Sequence, residues 1–188
     1  MRMYRAGEAK LNGYLEDYAS LIDGLIAMHE LTFETRWLDE AVSLGYAMVE
    51  LFWDEASGQF YDTGHDHEEL IVRPREISDN AVPSGGSMAA AVLLRLAVIT
   101  GDADLERRAV TALRSARQLM TALPAGAGHW LCALDFYLST PNEIAVVGNR
   151  RSIDTEALVA EVYRHYLPNR VFLGRDGNDA ILPGIPLL

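Results

Sequence analysis

Apolar positions between Tyr14 and Leu31 recur at helical spacing. Tyr14, Tyr18, Leu21, Ile22, Leu25 and His29 form one stripe, and Leu15, Ile22 and Ile26 form a second beside it. Residues three and four apart share a helix face, so the pattern predicts a helix over 14–31 that is apolar over more than half its girth and packs on several sides. After a short break at 32–36, Trp37, Leu38, Ala41, Leu44, Gly45 and Met48 carry a second helix to about Trp53. Asp54-Glu55-Ala56-Ser57-Gly58 ends it in a turn, because Ser-Gly favours chain reversal. Residues 59–63 and 70–73 read as two short extended stretches around a polar loop, and a Pro/Gly-rich connection follows over 79–86. Met88, Val92, Leu94 and Leu96 predict a third helix over 87–100, broken by Gly101. Asp102 is a good N-cap for a fourth, running to about Leu123, and a shorter fifth covers 129–138.

The pattern changes after Pro141. Glu143-Ile144-Ala145-Val146-Val147-Gly148 reads as a buried strand, Asp154 as the cap of a helix to about Leu167, and Arg170-Val171-Phe172-Leu173-Gly174 as a second strand. Strand, helix and strand in this order predict a βαβ unit with parallel strands and a right-handed crossover. Two strands and one helix make a thin sheet, and the chain stops on Leu187-Leu188, so it is expected to be part of a longer polypeptide.

An internal repeat underlies the helical part. Residues 31–41 resemble residues 99–109, an offset of 68, and each copy is a long helix, a tight break and a second helix. A lone αα-hairpin cannot bury its faces, so such hairpins stack. The expected fold is mainly α: αα-hairpins forming part of an (α/α) toroid over 1–140, and a small C-terminal α/β (βαβ) unit over 141–188.

Composition narrows the function. With 16 Lys and Arg against 27 Asp and Glu, the net charge is −11, the wrong sign for a phosphate-backbone binder or an anionic membrane surface. No nucleic-acid or membrane partner is therefore expected. Cys132 is the single cysteine, which excludes an internal disulfide and any multi-cysteine zinc site. The N-terminal residues carry no apolar signal region, so a cytoplasmic location is expected.

Several groups have residue types that carry chemistry. Glu16 and Asp17 open the first helix, where one can face a cavity or both can offset the helix macrodipole. His29, at the end of the same helix, suits proton transfer or a core hydrogen bond. His65-Asp66-His67, with Asp62, Glu68 and Glu69, has metal-donor types, but alternate side chains diverge in an extended segment, so a solvated loop and no metal are expected. Ser84-Gly85-Gly86-Ser87 opens a helix whose amides could hold an anion or a sugar oxygen, or whose glycines allow close packing. It is neither a Walker motif nor a nucleophile elbow. Trp53 and Tyr61, at a hairpin end, are the aromatics best placed to stack on a sugar ring. Cys132 reads as a buried thiol. Gly148-Asn149-Arg150 sits where a nucleotide-binding turn would, yet Gly-x-Gly-x-x-Gly is absent, so no nucleotide cofactor is expected.

Leu15-Glu16-Asp17-Tyr18-Ala19, the Phe52-Trp53-Asp54-Glu55 turn with Gly58-Gln59-Phe60-Tyr61, Ile71-Val72-Arg73-Pro74, Pro83-Ser84-Gly85-x-Ser87 and the run from Pro141 to Gly148 together resemble the YyaL-like family, related to the spermatogenesis-associated thioredoxin-domain proteins. The resemblance implies an N-terminal thioredoxin-like domain, then an (α/α)6 toroid similar to six-hairpin glycosidases and N-acylglucosamine 2-epimerases, incomplete in this chain, then an α/β segment. This chain would be the last part. Where family members carry Ser-Gly-Asn-Ser, it has Ser84-Gly85-Gly86-Ser87 and lacks the amide. The resemblance further implies a carbohydrate ligand, with Asp17 as acid/base, Tyr18 and Arg73 positioning substrate, Ser84 and Ser87 lining the rim, and Trp53 and Tyr61 stacking. The alternative is a non-catalytic protein-binding or scaffold module. Faces left by missing hairpins would make the chain self-associate.

Overall fold

The computed structural model describes residues 3–68, 71–177, 184–186 and 188. It opens with an antiparallel hairpin of β1 (Met3–Arg5) and β2 (Glu8–Lys10), followed by α1 (Leu15–Thr32) and α2 (Thr35–Phe52). A second small hairpin, β3 (Trp53–Asp54) and β4 (Gln59–Phe60), leads into a long connection and then α3 (Gly85–Thr100) and α4 (Ala103–Ser115). After these come α5 (Arg117–Ala122), a 3-10 turn at Pro124–Gly126, α6 (Gly128–Leu138), β5 (Asn142–Val147), α7 (Ile153–Arg164) and β6 (Arg170–Arg175). The fold is mainly α with a small C-terminal α/β unit, as the hydrophobic pattern predicts.

The repeat is written into the turns. α1 ends on Phe33 (φ 62°) and α3 on Gly101 (φ 72°), one repeat apart and both left-handed. In each copy the preceding threonine donates to the carbonyl four residues back at 2.8 Å and accepts the amide two residues on at 3.2 Å. Glycine adopts this conformation freely, whereas a side chain costs about 1 kcal/mol there. Phe33 adopts it with its ring edge-on to Phe172 of β6, centroids 5.9 Å apart, so the strained turn holds the α/β unit.

α3 lies at the centre, against α1, α4 and α6, and is buried on nearly every side. The starts of α1 and α3 abut: a Cβ on Gly85 would sit 3.2 Å from the Glu16 amide nitrogen. A Cβ on Gly86 would sit 3.1 Å from the Trp130 ring of α6. The two glycines thus bring three helix starts together at one end of the molecule. One face of α1 is open. Leu21, Met28 and Leu31 are 53%, 39% and 62% exposed, while their repeat equivalents on α3, Ala89, Leu96 and Ile99, are fully buried.

In the α/β unit β5 and β6 run parallel, with Asn142 opposite Arg170 and Val147 opposite Arg175. Val146, Val159 and Phe172 form a small core with Phe33, whereas Val171 and Leu173, on the other face of β6, join the main core. The change of pattern at Pro141 therefore does not mark a break in packing.

Five local expectations are corrected. Residues 71–73 form no strand and Ile71 is fully exposed, while Leu70 lies outside the described residues. β4 pairs with Trp53–Asp54, because Gly58 (φ 65°) folds the chain straight back. The fourth helix divides at Ala116, whose amide is shared among carbonyls of the preceding turn, and α5 follows. β5 is mostly exposed, with only Val146 buried, because it lies outside β6. Ser152, whose hydroxyl accepts the Thr155 amide, caps α7 in place of Asp154. Cys132 is exposed, since the α6 face that carries it has no helix over it among the described residues.

Candidate active-site crevice

The end where α1, α3 and α6 begin carries a crevice of about 350 Å³, walled by Tyr14, Glu16, Asp62, Glu76, Ser78, Asn80 and Ser84. Asp62 is built into it by three bonds. Its carbonyl accepts the Leu15 amide (3.0 Å), its amide donates to the Pro74 carbonyl (3.0 Å), and its Oδ2 accepts the Glu76 amide (2.7 Å). Burial pushes the Asp62 carboxyl above its ordinary value, against the Glu76 amide bond and Arg75, while the charges of Glu16 and Glu76 add to the rise. A carboxyl whose pKa is raised by burial, beside two further carboxyl groups, is an arrangement suited to proton transfer.

Of the expected site residues, Ser84 lines the crevice and the other six do not. Asp17 is at the third position of α1 and its Oδ2 accepts the Tyr14 amide (2.9 Å), so its carboxylate works as part of the helix cap. Tyr18 is half-buried, edge-on to Phe52 at 5.2 Å. Trp53 is buried, edge-on to Phe60 at 4.8 Å, as part of the core. Arg73 and Tyr61 are brought together: the guanidinium lies 4.4 Å over the ring and donates to the Thr63 carbonyl. Ser84 caps α3 by accepting the Ser87 amide at 3.2 Å and also edges the crevice. Ser87 is fully buried and donates to Asp79 at 2.6 Å.

Asp79 organises this region, and nothing in the periodicity points to it. Its Oδ1 accepts the Ser84 amide (2.9 Å) and the Ser87 hydroxyl, and its Oδ2 accepts the amides of His129 (2.8 Å) and Trp130 (3.2 Å). One carboxylate thus caps α3 and α6 together. Burial alone would raise its pKa, but the four bonds outweigh burial and hold it below the ordinary carboxylate range. The only signal in the sequence is an acid in a Pro/Gly-rich stretch ahead of two helix starts.

The other candidates have structural settings. His29 is fully buried between the Glu34 carbonyl (3.2 Å) and the Gly174 amide (3.3 Å), and burial lowers its pKa. His67 lies against Tyr14, and no metal-holding cluster forms among the described residues; Glu69 lies outside them. Arg150 donates to the Leu31 carbonyl at 3.1 Å and sits over Phe33. No helix is long and apolar enough to cross a membrane among the described residues. A larger cleft of about 520 Å³ runs between α3 and α6, with Val92 and Phe136 in its walls and Arg95 at one end. Arg95 is already paired with Asp23 (2.6 Å) and Glu30 (2.9 Å), so the cleft offers apolar surface more than chemistry.

No family model matches the chain. Spermatogenesis-associated protein 20 of Homo sapiens is 34% identical over 167 residues, covering 88% of this chain and 21% of that protein. The protein of the same name from Rattus norvegicus is 32% identical over the same length. Uncharacterized protein B0495.5 of Caenorhabditis elegans is 27% identical over 146 residues. The chain spans about a fifth of the length of these relatives. Similarity to the mammalian proteins at this level, across nearly all of its length, makes this chain a member of the spermatogenesis-associated protein 20 family.

Proposed function

We propose that the crevice at the start of α1 and α3 binds a carbohydrate, and that the intact protein acts on it as a glycosidase-like or 2-epimerase-like enzyme through carboxylate acid/base chemistry. The observation that carries this reading is Asp62: a half-buried carboxyl with a raised pKa, facing the same crevice as Glu16 and Glu76. In this reading Asp62 is the proton donor, with Glu16 and Glu76 as its neighbouring acids. Ser78, Asn80 and Ser84 supply the hydroxyl and amide groups that a polyol needs. Asp17 and Ser87 hold two of the crevice's lining residues, Tyr14 and Ser84, in place.

The test is a thermal-shift screen of neutral mono- and disaccharides, repeated with Asp62→Asn. A ligand at 100 times its dissociation constant adds about 2.7 kcal/mol of stability. A shift seen with the natural chain and lost in the variant supports the reading. No shift with any sugar overturns it.

The open face of α1 favours a second reading, a scaffold or protein-binding module. Positions 21, 28 and 31 are apolar and exposed, whereas positions 89, 96 and 99 one repeat later are buried. A further αα-hairpin, as in an incomplete toroid, or a second copy of the chain would cover them. Light scattering on the chain and on Met28→Lys distinguishes these: association lost in the variant points to this face as a self-association surface.

A further inference from the structure

The α/β unit rests on the last turn of α1, and His29 lies at the centre of that contact. A backbone amide only donates, so His29 Nε2 accepts from Gly174 of β6 at 3.3 Å. Its Nδ1 then carries the proton and donates to the Glu34 carbonyl at 3.2 Å. The imidazole is neutral, fully buried and part of both bodies. Around it, Glu30 accepts from Tyr163 (3.2 Å) and pairs with Arg170 (3.5 Å), and the Leu31 carbonyl accepts from Arg150 (3.1 Å). Between α7 and β6, the loop leading into β6 supplies Tyr166, Pro168 and Asn169 to the wall of the 520 Å³ cleft.

We propose that His29 is an acid-sensitive latch: protonation of Nε2 turns its acceptor into a second donor aimed at the Gly174 amide, loosens β5–α7–β6 from the helices, and so moves one wall of the cleft. The bond to Gly174 requires the neutral ring, while the bond to Glu34 survives protonation, so the loss falls on the α/β side of the contact. The charged groups acting on the ring are Glu30 on α1 and Asp39 on α2, with Arg170 of β6 paired to Glu30 and Arg150, after β5, bonded to the Leu31 carbonyl. Burial pulls the imidazole below its ordinary value more strongly than the Glu34 carbonyl, Glu30 and Asp39 pull it up. The sign follows. A folded-state pKa below the unfolded one means that the unfolded chain binds the proton first, so docking weakens as pH falls from about 6.5 through the lowered value. The α/β unit is the part poised to respond, because a two-stranded sheet with an exposed outer strand has little of its own to hold it.

The test is amide exchange of the full chain at about pH 7.5 and about pH 5, corrected for intrinsic rates, with residues 89–99 of α3 as the internal reference. Protection across 170–175 is expected to fall roughly tenfold relative to α3 in the natural chain, and to stay level in His29→Gln, which keeps a donor and an acceptor but does not titrate. An NMR titration of the His29 ring in the natural chain adds a readout that needs no variant: the loss of protection should begin near the ordinary imidazole value of about 6.5 and level off below the ring's own midpoint. Unchanged protection, an equal fall in the variant, a simultaneous fall throughout α3, or a loss that begins only below the ring's midpoint would each overturn the proposal.

Discussion

Asp79→Ala isolates the carboxylate that joins α3 to α6. The substitution removes four hydrogen bonds at once: those from Ser84 N, Ser87 Oγ, His129 N and Trp130 N. At about 1 kcal/mol net per bond the loss is about 4 kcal/mol, and water reaching the partly exposed helix starts lowers this to about 3 kcal/mol. Total stabilities of about 5–15 kcal/mol make this a large fraction. Urea unfolding followed by helical circular dichroism measures it, with an unchanged slope showing that the same surface is exposed on unfolding. The pH dependence gives a second check. Asp79 has a lowered folded-state pKa, so its contribution is full above the ordinary carboxylate value of about 3.8 and is lost as pH falls through the lowered value. The natural chain should lose stability in that window and Asp79→Ala should lose less. A cost under about 1 kcal/mol, or acid curves of equal slope, would refute the double-cap reading.

Three further outcomes are expected. Gly174→Ala places a Cβ 2.0 Å from the Phe33 ring, so either Phe33 or β6 must move, and urea unfolding should show a loss of about 3 kcal/mol. Phe33→Gly relieves the left-handed turn by about 1 kcal/mol but empties the contact with Phe172, for a net loss of about 2 kcal/mol; net stabilisation would show that the ring does not anchor the α/β unit. Asp62 has a raised folded-state pKa, so its ionised form weakens the fold as pH rises through that window. Asp62→Asn should therefore unfold at higher urea than the natural chain at neutral pH and at the same urea at pH 3, and a lower midpoint at neutral pH would remove Asp62 as a strained acid.

The helices and their turns were legible because each is encoded locally. The apolar stripes of α1 and α3 lie within one element, and the Thr32-Phe33 and Thr100-Gly101 turns bond to residues within four positions. The βαβ unit was legible for the same reason. The misread elements depended on neighbours. β5 has the composition of a buried strand, but its burial is set by its place outside β6. The strand at 59–60 pairs with 53–54 across a tight turn at Gly58, while 71–73, read as extended, has no strand partner among the described residues.

The sequence by itself determined the mainly-α fold, the repeat, the small α/β unit and the family, because periodicity and ordered motifs are properties of neighbouring residues. Only the tertiary structure decided which acids share a crevice. Asp17 precedes Tyr18 on a conspicuous helix, yet its carboxylate turns back to Tyr14. Asp62 sits in an unremarkable loop, yet it meets Glu16 and Glu76. Asp79 caps helices that begin 6 and 49 residues later in the chain, at Gly85 and Gly128. Carboxylate chemistry depends on burial and on which charges and amides lie within a few ångströms. Those distances are fixed by how α1, α3 and α6 pack start to start, and that packing is not written in any one segment.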